Sequence, residues 1–157
     1  MNKEESFRIL DIVRGTTVDG PGFRTSIYMA GCIHRCPGCH NPQSWDFNTG
    51  NEMSLKEIMD IVKDEDFDVT LTGGDPLCSP EKTLRLVKEI KEAGYGIWLY
   101  TGYLYEEIKE NKELKNIVNY VDAIVEGPYI EALKNDDVKF RGSANQRIIT
   151  LNGKVLT

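Results

Sequence analysis

No stretch of this chain approaches the ~20 consecutive apolar residues that a membrane-spanning helix needs, so a membrane span is not expected. The opening residues, Met1–Phe7, are polar and acidic and carry none of the charged-then-apolar layout of a signal peptide, which points to a cytoplasmic protein. Positive charge is scarce: 19 Lys and Arg stand against 25 Asp and Glu, a net charge of −6. That balance argues against a protein that grips nucleic acid by its phosphates. No G-x-x-x-x-G-K-[ST] loop occurs, and no G-x-G-x-x-G follows a strand pattern, so no nucleoside triphosphate site is expected in this chain. Repeats, linkers and low-complexity segments are also lacking. So is a disulfide frame: of four cysteines, Cys32, Cys36 and Cys39 crowd into eight residues and Cys78 stands apart. Without a secretion signal, that grouping suggests a metal site.

What is present fits one domain over residues 1–157, with 40% hydrophobic residues available for a core. Strand patterns fall at 7–13, 23–30, 67–72, 96–101, 121–126 and 147–151. Helical spacing runs from the capping residue Ser54 to Lys63, over 81–93 and over 104–118. This alternation predicts an α/β fold with right-handed βαβ units and a mostly parallel sheet. The units are too few to close an eight-stranded barrel, so an open or partial barrel of about five to six strands is expected. Four unusual segments follow predicted strand ends: Cys32–Cys39, Gly73-Gly74-Asp75-Pro76, Gly102-Tyr103 and Gly127-Pro128-Tyr129. In a parallel sheet they would share one rim, the side on which such folds bind ligands.

The cysteine spacing is C-x3-C-x2-C, on a loop rich in Pro and Gly. Three thiolates suit three corners of a four-iron cluster, leaving one iron open to a substrate. The competing assignment is structural zinc, with Cys78, His34 or His40 as fourth ligand. The single C-x2-C favours iron–sulfur over zinc, and Cys78 reads as a small buried residue.

The run Thr17-Val18-Asp19-Gly20-Pro21-Gly22-Phe23-Arg24, followed by Gly31-Cys32-Ile33-His34-Arg35-Cys36-Pro37-Gly38-Cys39-His40-Asn41-Pro42, resembles the signature of glycyl-radical-enzyme activases of the radical S-adenosylmethionine (SAM) superfamily. The short chain, Cys36-Pro37-Gly38-Cys39 and the late segment Phe140–Gln146 resemble most the branch that acts on anaerobic ribonucleoside-triphosphate reductase. The resemblance implies a radical SAM partial β/α barrel in which Cys32, Cys36 and Cys39 bind a [4Fe–4S] cluster. It implies SAM on the open iron, reduced by flavodoxin or ferredoxin and cleaved to methionine and a 5′-deoxyadenosyl radical. That radical would take a hydrogen atom from a glycine of the reductase. Gly73, Gly74, Asp75 and Pro76 would bind SAM, with His40 and Asn41 shaping the pocket. Asp19 and Gly20 would meet the incoming glycine loop. Two positions depart from the wider superfamily: Gly38 replaces an aromatic residue before the third cysteine, and Asp75 replaces glutamate. Both agree with the reductase-activating branch. They leave the adenine contact open, with Tyr100 and Tyr103 as candidates. Arg24, Arg35, Arg141 and Arg147 are candidates for the SAM carboxylate or for an electron donor's acidic surface. The alternatives are an activase of another glycyl radical enzyme, such as pyruvate formate-lyase, and a small iron–sulfur electron carrier or zinc-binding module.

Overall fold

The computed structural model describes residues 6–34, 45–134, 140–141 and 143–150, and the backbone of 155–156. Eight strands pair into one mixed sheet. They are β1 (Ser6–Thr16), β2 (Arg24–Met29), β3 (Asn51–Ser54), β4 (Asp68–Gly73), β5 (Ile97–Tyr100), β6 (Ala123–Glu126), β7 (Arg147–Thr150) and β8 (Val155–Leu156). Their spatial order is β3-β1-β2-β4-β5-β6-β7-β8. The expected five to six strands are therefore too few, and the sheet is less parallel than its pattern implied. β2, β4, β5 and β6 run parallel, with Ile27 opposite Leu71, Leu71 opposite Leu99, and Leu99 opposite Ile124. The flanking pairs β1–β2, β1–β3, β6–β7 and β7–β8 are antiparallel.

Helices α1 (Leu55–Glu65) and α2 (Pro80–Glu92) connect β2 to β4 and β4 to β5. The pair α3 (Tyr105–Glu110) and α4 (Lys112–Val118) connects β5 to β6. α1 starts on the predicted capping box: Ser54 Oγ accepts from the Glu57 amide at 3.1 Å, and Glu57 Oε1 accepts from the Ser54 amide at 2.9 Å. It ends at Asp66 in the left-handed region. The predicted helix 104–118 is two helices. Asn111 leaves helical geometry, and its side-chain oxygen accepts from the Glu113 and Leu114 amides, starting a new helix.

Each parallel strand is added on the same side of the one before it. Crossovers of one hand then put every helix on one face of the sheet. That face is the main core: Ile27, Met29, Val69, Leu71, Ile97, Leu99, Ile124 and Ile149 pack against Ile58, Val62, Leu86, Ile90, Ile108 and Ile117 of the helices. The alternate residues point the other way. There Trp98, Ala123, Val125 and Ile148 form a second cluster with Tyr100 and Phe140, and no described helix packs on it.

Candidate active site

The segments that follow the four parallel strands meet at one rim. The β2–β4 pairing continues past the last strand residues, where the Gly74 amide donates to the Met29 carbonyl at 2.7 Å and the Asp75 amide to the Gly31 carbonyl at 2.8 Å. Gly73 has φ +109°, and a Cβ there would lie 2.3 Å from the Met29 nitrogen. Glycine is required because the backbone of β2 fills that space. Gly31 also lies in the left-handed region, φ +104°, and the partly exposed ring of Phe47 packs on it, 2.2 Å from an added Cβ.

Asp75 organises the rim. It is 2% exposed, and its carboxylate accepts from four donors. Oδ1 takes the Leu77 amide at 2.9 Å, capping the 3-10 turn Pro76–Cys78. Oδ2 takes Thr101 Oγ1 at 2.8 Å, the Gly102 amide at 2.8 Å and His34 Nε2 at 2.7 Å. The His34 ring lies against Gly102, where a Cβ would come within 2.6 Å, and edge-on to Tyr103 at 4.7 Å. The Gly127 amide donates to the Tyr103 carbonyl at 2.9 Å, joining the fourth segment. The shared rim expected from the strand ends is thus built by named hydrogen bonds. His34, which the spacing alone marked only as a possible zinc ligand, is its central partner.

Beside this hub sits Cys32, half-buried, its amide donating to the Trp45 carbonyl at 3.2 Å. Its sulfur, the Cys78 sulfur and a His34 ring nitrogen all lie within 4.8 Å of one another. Hydrogen bonding from Cys78 lowers the Cys32 thiol to about 6 against the opposing effect of burial, with the His34 amide adding to the lowering. The same contact, with burial, raises Cys78. Hydrogen bonding to Asp75 raises His34. Cys36, Cys39, His40 and Asn41 lie outside the described residues.

The pattern matches a protein family described as a 4Fe-4S single cluster domain over residues 18–149. The chain is 36% identical over 140 residues to the anaerobic ribonucleoside-triphosphate reductase-activating protein of Salmonella typhi, covering 82% of this chain and 89% of that one. It is 37% identical over 139 residues to the protein of the same name from Enterobacteria phage T4, covering 83% of this chain and 86% of that one.

The chain belongs to the family of anaerobic ribonucleoside-triphosphate reductase-activating proteins.

Its fold is similar to that of QueE from Escherichia coli, with a TM-score of 0.50 and 15% identity over 62% of this chain and 52% of that one. Of the cysteine loop the described residues include Cys32, whose half-buried free thiol at the rim, shifted toward the thiolate by its contact with Cys78, is of the ligand type that the iron–sulfur clusters of this family take.

Other family signatures fall into two groups away from this hub. Asp19 and Gly20 fold over the sheet face that no described helix covers. The Asp19 carboxylate accepts from the Tyr28 hydroxyl, and its carbonyl accepts from Thr70 Oγ1 at 2.6 Å. Gly20 packs on Arg24 and Trp98, 2.9 Å and 3.2 Å from an added Cβ. Arg24 is buried and spends its donors on Thr70 Oγ1 and on the Pro21 and Val69 carbonyls, at 2.9, 3.0 and 3.1 Å. It fixes the D-G-P-G turn.

The late R-G-S-x-N-Q segment, whose roles sequence reasoning left open, holds the exit of β6. Asn145 Nδ2 donates to the Pro128 carbonyl and Gln146 Nε2 to the Gly127 carbonyl, each at 2.9 Å. Ser143 Oγ accepts from the Ile130 amide at 3.2 Å. Arg141 donates to the Gln146 carbonyl at 3.2 Å. Arg147 forks onto fully buried Glu126, at 3.0 and 2.8 Å, and also reaches Glu106. The second Glu126 oxygen accepts from the Tyr105 amide at the start of α3. Arg24, Arg141 and Arg147 are therefore engaged within the protein, and Arg35 lies outside the described residues. Sequence reading had no periodic signal for Glu126. A buried acid at a strand end, paired to an arginine on the next strand, becomes visible only once the strands are aligned.

Proposed function

We propose that this chain is a radical SAM activase that generates a glycyl radical on anaerobic ribonucleoside-triphosphate reductase. The observation that carries the reading is the position of Cys32: a half-buried free thiol at the rim where four βα segments converge, in a chain of this family. When bound, the cluster supplies an electron to the sulfonium of SAM, giving methionine and a 5′-deoxyadenosyl radical that takes a hydrogen atom from a reductase glycine. Flavodoxin or ferredoxin is the proposed electron source, and the cytoplasm the proposed compartment.

Cys32, Cys36 and Cys39 would hold the cluster. The turn Gly73-Gly74-Asp75-Pro76 would receive SAM, with His40 and Asn41 shaping the pocket. Within that turn the roles divide. The Asp75 carboxylate already accepts from four donors, so it acts by position. The glycine carbonyls are left to accept from the SAM ammonium. Asp75 also keeps the turn and the cysteine loop at fixed separation through His34. Near-attack geometry depends on such fixed separations. The four parallel strands and their helices are the part of the sheet we read as the partial β/α barrel, within one domain. The sheet face on which no described helix packs, carrying Trp98, Val125, Ile148 and Phe140 beneath the Asp19-Gly20 turn, would receive the glycine loop and exclude water from the radical.

The test is anaerobic reconstitution with iron and sulfide, reduction, and incubation with SAM and the reductase. Formation of 5′-deoxyadenosine together with a glycyl radical in the electron paramagnetic resonance spectrum of the reductase is expected. A loaded protein that yields no 5′-deoxyadenosine overturns the reading. A radical formed on pyruvate formate-lyase instead reassigns the partner.

A further inference from the structure

Cys78 has no part in the C-x3-C-x2-C set, yet the fold brings it to Cys32. The hydrogen bond from the Asp75 amide to the Gly31 carbonyl, 2.8 Å, locks the two segments together one residue before Cys32 and three before Cys78. The Cys78 amide donates to the Asp75 carbonyl at 2.9 Å, which curls the turn back toward the loop. Successive amides of one loop face the two sulfurs, that of Ile33 toward Cys78 and that of His34 toward Cys32. The sulfurs lie within 4.8 Å, and both thiols are free and half-buried. A disulfide needs sulfurs about 2.05 Å apart.

We propose that in the cluster-free chain Cys32 and Cys78 form a reversible disulfide by exchange with an oxidised low-molecular-weight thiol of the glutathione class. Cys32 Sγ attacks one sulfur of the oxidant, whose S–S bond breaks and releases one thiolate. Cys78 gives its proton to solvent and attacks Cys32 Sγ in the mixed disulfide. The protein S–S bond forms, and the second oxidant thiolate leaves. Two protein thiols are oxidised, and one disulfide reagent is reduced to two thiols. The bond keeps Cys32 from irreversible oxidation to sulfinic acid while no iron covers it. It also withholds Cys32 from iron until a thiol reductant restores it. That consequence rests on Cys32 being a cluster ligand. The cross-link itself does not.

The experiment treats the full cluster-free chain with oxidised glutathione under anaerobic conditions, digests it without reduction, and maps the disulfides by mass spectrometry. The expected main product joins Cys32 to Cys78, with loss of iron and sulfide uptake that dithiothreitol reverses. Cys78→Ser is expected to lose the cross-link and to carry glutathione on Cys32. Mapping of the unsubstituted chain decides the matter whether or not Cys78→Ser folds. Cys32 joined to Cys36 or Cys39 with Cys78 left as a thiol overturns the proposal, as does a glutathione adduct that persists on Cys32. A chain that cross-links as expected but never cleaves SAM once loaded overturns the proposed function alone.

Discussion

His34 Nε2 lies 2.7 Å from Asp75 Oδ2, and through this contact the loop after β2 is tied to the turn after β4. The same oxygen also takes donors from Thr101 and Gly102 after β5. One buried carboxylate oxygen therefore fixes three segments that are far apart in sequence.

Asp75→Ala strands the Leu77 and Gly102 amides, the Thr101 hydroxyl and His34. Unpaired buried donors cost about 1–3 kcal/mol each, partly relieved by relaxation, so the cluster-free chain is expected to lose about 3 kcal/mol in urea unfolding. A loss under about 0.5 kcal/mol would remove Asp75 from its central place.

The pKa of His34 is raised in the folded chain above its ordinary value of 6.5. Its pairing with Asp75 therefore contributes stability that is fully present below about 6.5 and is lost as pH rises through the folded value. The urea midpoint of the cluster-free chain should show this decline relative to His34→Gln across the same pH range. Parallel pH profiles for the two chains would contradict the assignment.

Cys32 is expected to react with iodoacetamide with a midpoint near pH 6, while Cys78 stays slow well above neutrality. Peptide mapping after short exposures to the reagent measures both. Equal rates at pH 7 would show that the two thiols are not differentiated as described.

Cys36→Ala is expected to abolish cluster assembly, judged by bound iron and sulfide, whereas Cys78→Ala should retain it. Loss of the cluster in Cys78→Ala would make Cys78 a fourth ligand and close the iron to SAM.

Gly73→Ala places a Cβ 2.3 Å from the Met29 nitrogen at a φ of +109°. Neither strand has room to yield, and a destabilisation of about 2 kcal/mol or more is expected from denaturant unfolding. A stable variant would mean that β2 and β4 separate more easily than their register implies.

Much of this arrangement is legible in the sequence because strands of parallel α/β units announce their ends. FDVTLT halts at Gly73-Gly74 and GIWLYT at Gly102, and the rim follows from direction alone. β3 is not legible: Asn51–Ser54 has one apolar residue, Met53, too few to show alternation, and is a strand because β1 pairs with it, Phe7 opposite Met53. The antiparallel flanks share that origin in tertiary pairing. The break at Asn111 is a local capping preference that outcompetes helical periodicity. Family resemblance alone places Asp75 among the ligand contacts. Only the position of His34 and the β5 exit shows where its lone pairs go.

Adding each parallel strand to the same side of the sheet also makes assembly of the site inseparable from folding. Residues 31–34, 73–76, 101–103 and 127–130 become neighbours only after three successive crossovers have closed. A peptide carrying just the cysteine motif would lack Asp75, and with it the Thr101 hydroxyl and Gly102 amide that hold the partner of His34 in place. Long-range loop closure must precede every one of those contacts. The rim that carries Cys32 is thus a product of long-range pairing, and it is expected to be lost together with the sheet rather than before it.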